Sequence, residues 1–395
     1  MPSLQPEPSL EASNRKLVLA GQLAFLPTGI LTTLLGPMLP ILMSRWAMND
    51  SQAGKLFLVQ FLAMLAGVQL SGVLLARFGF RPAFLIGLLS MAGGVSTLYM
   101  GSLWLGLISV AVYGLGLGLV IPSDNLLIAE IGSASSASSS DGSRAGAVSL
   151  LNFYWGVGAV FCSLMVAWSA AHKLLPFFLG SVALFLLLLA FAMRNLPFPP
   201  AEVAASSSSS SWRALAKSPA IWIFAAIFFL YPGAENAVGG WIGSYVSRLG
   251  ARGAAMASIM PAFFYSTLTV GRAFGTLLLR HVSERRVLLT GYAAGSAGIA
   301  LMLVAPTLPA VIAGALITGL SFATLYPITV ARLSQRFGVA ARSIGAVMFS
   351  LASVGPAVIP WMVGVISHAT GSLRAGMLLP LVAPVILFFI HLFEW

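Results

Sequence analysis

The chain has 395 residues, of which 58% are apolar and only 8% charged, with a mean hydropathy of +0.95. A single soluble core stops growing near ~250–300 residues, so a water-soluble globule is excluded and lipid must solvate most of the outer surface. The net charge of +11 sits in the breaks between apolar runs, not in a patch with interleaved aromatics, which excludes a nucleic-acid footprint.

A membrane-spanning helix needs about 20 mostly apolar residues. Twelve such runs follow one another: 17–43, 54–76, 82–101, 104–131, 145–168, 174–193, 218–246, 254–279, 287–304, 309–333, 343–367 and 375–393. The stretch 1–16 is polar and carries Glu7 and Glu11, unlike the basic start of a cleaved signal peptide, and reads as a cytoplasmic tail. Cys162 is the single cysteine, so no internal disulfide forms. An even number of spans puts both termini on one side. With that side inside, 14 of the 21 Lys and Arg fall in the cytoplasm, among them Arg77, Arg81, Arg194, Arg280, Arg285 and Arg336. Six fall outside (Arg45, Lys55, Lys173, Arg248, Arg252, Arg374), and Arg272 lies within a span. This bias predicts a multi-pass protein of the cell inner membrane with cytoplasmic termini.

The longest break, 195–217, holds the serine run Ser206 to Ser211 and reads as a flexible cytoplasmic linker. Ser133 to Ser143 reads as a cytoplasmic loop. The linker separates two six-span units, 17–194 and 218–395. Three features recur in order between them. Gly114-Leu115 with Pro122 in the fourth span matches Gly319-Leu320 with Pro327 in the tenth. Arg144, Gly146-Ala147-Val148 and Gly156 in the fifth match Arg342, Gly345-Ala346-Val347 and Gly355 in the eleventh. Gly72, Arg77 and Arg81 after the second match Gly275, Arg280 and Arg285 after the eighth. Parallel six-span repeats enclose a midplane site between two rocking halves.

The segment Gly72-Val73-Leu74-Leu75-Ala76-Arg77-Phe78-Gly79-Phe80-Arg81 resembles the loop between helices 2 and 3 of the major facilitator superfamily, although Ala76 replaces its aspartate and Phe80 a basic residue. Within that superfamily the chain is similar to the fucose–galactose–glucose symporters and the sodium-dependent glucose transporter-like proteins. The stretches concerned are Gly114 to Asn125, Asn152 to Gly158, Tyr231-Pro232-Gly233-Ala234-Glu235 to Trp241, Leu268 to Arg272, and Gly355, Pro360 and Gly364. The resemblance implies an all-α membrane protein of twelve transmembrane helices in two pseudo-symmetric six-helix bundles, with spans 1, 4, 7 and 10 lining the cavity. It also implies alternating-access transport of a monosaccharide, a hexose by the family's habit, coupled to H+ or Na+. The fucose branch carries acids where this chain has Gly36 and Ile121, so its coupling scheme does not carry over.

Intramembrane ionisable groups cost about 2.5–3.5 kcal/mol on insertion scales and are functional candidates by default. Four stand out: Asp124, Glu130, Glu235 and Arg272. Glu235 is followed by Asn236 and Gly239-Gly240, where a helix would bend or unwind and free carbonyls. As a coupling group it would exchange a proton or help hold Na+; the alternative is a salt bridge with Arg272. Asp124, after Pro122, is a second coupling candidate or a gating acid. Glu130 reads as an interfacial charge or gate, Arg77 as a gating group of the loop, and Arg272 as a donor to substrate or a latch. Candidate substrate contacts are Thr32, Asn152, Trp155, Asn236, Trp241 and Tyr326, each equally suited to packing. No His, Cys and acid stand at metal-ligand spacing and no phosphate-cradling Gly-Lys-Ser/Thr loop occurs, so neither an enzyme nor ATP-driven transport is expected. No cofactor beyond the coupling ion is expected, and one chain holding both halves suffices as a monomer. The alternative function is a facilitator or proton-coupled exporter of another small organic solute or drug.

Overall fold

The computed structural model describes residues 8–134, 142–199, 218–338 and 341–393, and among these all regular structure is helical. The first span is α1 (Pro8–Thr33) and α2 (Leu35–Arg45), interrupted at Leu34, where Pro37 has no N–H to offer the Thr33 carbonyl. Spans two to six are α3 (Asp50–Phe78), α4 (Phe80–Thr97), α5 (Leu103–Ala134), α6 (Gly142–Ala171) and α7 (Leu175–Met193). Span seven is α8 (Pro219–Val246), followed by the short α9 (Ala251–Met256) and by span eight, α10 (Met260–His281). Then come α11 (Glu284–Val304), the broken tenth span α12 (Leu308–Phe322) and α13 (Leu325–Phe337), α14 (Ala341–Thr370), and the twelfth span, α15 (Leu373–Gly376) with α16 (Leu378–Phe393).

Eleven of these passages are long and apolar enough to cross a bilayer. Span eight, α10, has 22 residues, about 33 Å at ~1.5 Å per residue, a length that matches the hydrocarbon core. Lipid exposure is written on α7, where Leu184, Leu187, Leu188 and Phe191 face outward while Leu179, Ala183, Leu186 and Ala190 are buried. Both faces are apolar because one meets the protein and the other meets hydrocarbon.

The glycine pattern of the fourth span is explained by close helix approach. Cβ atoms on Gly114 and Gly118 would lie 2.4 and 2.0 Å from the Gln60 and Met64 carbonyl oxygens of α3. One on Gly116 would meet the Gly87 oxygen of α4 at 2.5 Å, so α5 is wedged between α3 and α4. In the second half α12 is wedged likewise, Gly319 against Phe264 of α10 and Gly314 against Gly298 of α11. Two six-helix bundles are thus built on one plan. They meet through α3 against α14 and α6 against α10, the second span of each half against the fifth of the other.

One expectation needs correction. The seventh span does not unwind at Asn236–Gly240; α8 runs unbroken to Val246. Its glycines admit neighbours instead: a Cβ on Gly239 would lie 2.3 Å from the Tyr265 hydroxyl, and one on Gly240 2.7 Å from the Phe57 ring. The breaks fall at Leu34, at Ala323–Thr324 and at Met377. The first helix starts at Pro8, within the polar stretch 1–16; proline suits a first helical position, where no N–H is needed. Most of the expected linker 195–217 and of the loop after Ala134 lies outside the described residues. The linker's first residues are pinned to α4, Arg81 donating to the Leu196 carbonyl at 2.9 Å and Phe84 stacking on Phe198.

Candidate functional site

At mid-depth, α8 and α10 of one half meet α6 of the other beside the break between α12 and α13. Glu235 projects from α8, and Tyr231, one turn earlier, reaches its carboxylate with its hydroxyl. The Arg272 guanidinium of α10 lies 3.4 and 3.5 Å from the two carboxylate oxygens. Two opposite charges are therefore placed together in low dielectric, where removal of either would strand the other. The pair is not sealed: the Glu235 and Arg272 side chains retain 10% and 20% of their exposure.

Aromatic rings surround the pair. Arg272 sits 5.3 Å from the centroid of the Trp155 ring, which belongs to the opposite half, a cation–π arrangement. Trp155 meets Tyr265 edge-on at 6.2 Å, and a Cβ on the adjoining Gly156 would collide with Thr269. Tyr231 stacks on Tyr326 at 6.4 Å and meets Phe322 at 5.5 Å. The Nε of Arg272 has no hydrogen-bond partner among the described residues, leaving a buried donor available to a polar solute.

The other candidates are distributed around this centre. Asn152 lies one turn from Trp155 on the same face of α6 and is exposed. Tyr326 is half-buried. Asn236 returns its amide to the Pro232 carbonyl at 2.8 Å, and Thr32 returns its hydroxyl to Thr28 at 2.6 Å. Trp241 is fully buried, its indole N–H donates to the Pro360 carbonyl at 2.8 Å, and its ring packs on Phe57. Asp124 is enclosed inside the first half, where a Cβ on Gly21 of α1 would lie 2.4 Å from its Oδ1, and neither carboxylate oxygen has a hydrogen-bond partner among the described residues. Asp124 packs on Gly21 in the first half, whereas Glu235 meets Tyr231 and Arg272 of the second, so the two acids stand in different halves. Glu130 is half-buried on the last turns of α5, and Arg77 is exposed at the end of α3.

Two polar groupings were not anticipated. Gln60, fully buried, donates to the Thr32 carbonyl at the α1–α2 break (3.2 Å) and accepts from the Tyr113 hydroxyl at 3.0 Å. At the end opposite the chain termini, Asp50 at the start of α3 receives Arg248 from the end of α8 and the Ser367 hydroxyl from α14. The local signal at Asp50 was a helix start, with Asn49 and Gln52 forming a reciprocal cap, and nothing nearby in sequence names its distant partners.

A family model described as Major Facilitator Superfamily matches residues 23–360. The chain belongs to that superfamily. It is a membrane transporter, not an enzyme. An uncharacterised MFS-type transporter of Yersinia pestis is 25% identical over 334 residues, 82% of this chain and 80% of that one. Among solved structures, the nucleoside transporter NupG is similar with a TM-score of 0.77 at 15% identity, covering 96% of this chain and 99% of that one. A D-xylose–proton symporter gives 0.73 at 15%, covering 94% and 96%, and the E. coli fucose:proton symporter FucP gives 0.65 at 18%, covering 97% and 99%. These likenesses establish the transporter's fold, two six-helix bundles packed against each other.

Proposed function

We propose that the transporter is a secondary active symporter, moving a monosaccharide with a proton by alternating access, with Glu235 as the proton-carrying group. The observation that carries this reading is the Glu235–Tyr231–Arg272 cluster, part-exposed at Arg272 and ringed by Trp155, Tyr265 and Tyr326 between the two halves. The D-xylose and fucose proton symporters of the same fold support the substrate class and the coupling. Each oxygen of Glu235 is met by a donor hydroxyl or a guanidinium, not by the set of oxygen ligands that Na+ needs, which favours a proton over Na+. Protonation would weaken the hold of Arg272 on the carboxylate and turn its donors towards a sugar hydroxyl, with Trp155 as the apolar platform.

In this reading residues 17–194 and 218–395 rock about the central site and 195–217 joins them, in a monomer of the inner membrane with cytoplasmic termini. The tie of Asp50 to Arg248 and Ser367 closes the outer end, and exposed Asn152 marks the approach from the cytoplasm. Asn236 and Thr32 flank the site. Trp241 is a packing residue, Asp124 a structural or gating acid, and Glu130 and Arg77 surface gating charges.

The test is uptake into proteoliposomes of a panel of labelled monosaccharides, with imposed proton or sodium gradients. Glu235→Gln should abolish proton-driven accumulation while exchange of labelled sugar across the membrane survives. Undiminished accumulation in that variant would reject the assignment. The Glu235–Arg272 pair also favours a second reading, a facilitator or exporter in which the pair is a fixed gate. Downhill flux without accumulation in the unaltered protein would support it.

A further inference from the structure

The Tyr231 hydroxyl faces two acceptors with a single proton to give. One is a carboxylate oxygen of Glu235; the other is the Phe322 carbonyl, 2.8 Å away. Phe322 ends α12, and the chain breaks at Ala323–Thr324 before α13 begins. Pro327 has no N–H for the Ala323 carbonyl, and the turn likewise withdraws the helical donor that Phe322 would have used. Tyr231 is buried, so water does not readily replace it. A buried carbonyl without a donor costs about 1–3 kcal/mol.

Resting on the reading of Glu235 as the proton site, we infer that Tyr231 relays the protonation state of Glu235 to the break in the tenth span. With the carboxylate ionised, the hydroxyl turns to Glu235 and the Phe322 carbonyl loses its donor. A proton taken from water onto Glu235 reverses this: the carboxyl donates to the Tyr231 oxygen, and the Tyr231 hydroxyl, keeping its own proton, donates to the Phe322 carbonyl. No other bond forms or breaks. Both contacts of the hydroxyl are then satisfied, and the α12–α13 break is tied to α8. Ionisation unties it. Protonation thereby acts on a hinge of the second half, and Tyr231 is a positioning residue between them.

The charged and titratable surroundings of Glu235 allow this. Arg272 and Tyr265 come from α10 and Tyr326 from α13. The guanidinium sits loosely at 3.4 Å and over Trp155, so it keeps a partner when the carboxylate is neutralised. Tyr292 of α11, behind Tyr231, packs against His391, which lies in the last turn of α16. Arg45 and His368 lie in the last turns of α2 and α14, Arg252 on α9 and Arg342 in the first turn of α14. On α13 Arg332 pairs with Glu284 and Arg336 sits in the last turn.

The test needs no substrate. Ser321, one residue before Phe322, is replaced by Cys and tagged with a small fluorinated thiol reagent; the one native thiol, Cys162, is fully buried. Fluorine NMR of the reconstituted full chain is followed from acidic to alkaline pH. The tagged parent should move between two resonance positions. In Glu235→Gln the amide donates to Tyr231 as the protonated acid does, so the signal should stay at the acidic position at every pH. In Tyr231→Phe the movement with pH should be lost. Unchanged movement in Tyr231→Phe, no movement in the tagged parent, or Glu235→Gln held at the alkaline position overturns the relay. Movement with pH in Glu235→Gln like that of the parent removes Glu235 as the proton site, and the proposed function with it. Should Tyr231→Phe not fold, the position adopted by Glu235→Gln decides.

Discussion

Asp50, at the start of α3, receives Arg248 from the end of α8, so one ion pair ties the two halves at the end opposite the chain termini. Ser367 of α14 donates to the same carboxylate. Next to this tie, a Cβ on Gly364 would lie 2.3 Å from the Asp50 carbonyl and one on Gly36 2.6 Å from that of Gly239. Arg248 is 40% exposed, so the pair is a partly screened one. Asp50→Asn should shift the population away from closure at this end by about fivefold, or ~1 kcal/mol. Spin-label distances between the start of α3 and the end of α8 would report it as a growing long-distance fraction; an unchanged distribution would mean the tie carries no closing energy.

Trp155 reaches across the halves to cover Arg272. Trp155→Ala removes this cation–π contact and the flat apolar face beside the polar cluster. Apparent affinity in counterflow should weaken by roughly 2- to 30-fold, corresponding to about 0.5–2 kcal/mol, with the melting temperature little altered. A loss of stability without loss of affinity would make Trp155 a packing residue.

Trp241 should behave the opposite way, since its indole N–H is already taken by Pro360 and its ring is enclosed. Trp241→Phe should cost about 1 kcal/mol for the lost hydrogen bond, and Trp241→Ala about 3–5 kcal/mol for the cavity. Thermal unfolding in detergent reads both. Apparent affinity for the solute should stay unchanged in the Phe variant.

Gly118→Ala places a methyl group against the Met64 carbonyl, with a Cβ contact of 2.0 Å that only a shift of α3 from α5 can relieve. Gly72, four residues after Val68 on the same helix, has nothing within 4 Å of its Cβ direction. Gly118→Ala should therefore cost ~1–3 kcal/mol of overpacking and lower the melting temperature, while Gly72→Ala is neutral. Equal effects would show that the α3–α5 approach is not as close as described.

Asp124 has no donor on either oxygen among the described residues. Asp124→Asn exchanges one partnerless group for another of the same shape, so stability should change by less than about 1–2 kcal/mol. Proton-driven accumulation should persist. Its loss would move the coupling site from α8 to α5.

Composition and apolar run length were enough to show a bilayer protein and to place twelve passages, because the hydrocarbon thickness imposes a length that any local stretch must meet alone. The Gly and Pro correspondence between the fourth and tenth spans, and the Arg and Gly-Ala-Val correspondence between the fifth and eleventh, likewise disclosed two halves on one plan, since close helix approach demands small residues wherever the fold repeats it. Glu235 and Arg272 stood out for the same reason: an ionisable group inside an apolar run is conspicuous whatever its partner. Which groups meet was another matter. That Tyr231 serves both Glu235 and Phe322, that Arg272 lies under Trp155 of the other half, and that Asp50 joins Arg248 and Ser367 depends on contacts between residues up to 317 positions apart. Only helix packing decides them. Identical prolines in the fourth and tenth spans even end differently, Pro122 inside an unbroken α5 and Pro327 after a break. A missing N–H permits a break, and the surrounding packing determines whether the helix takes it.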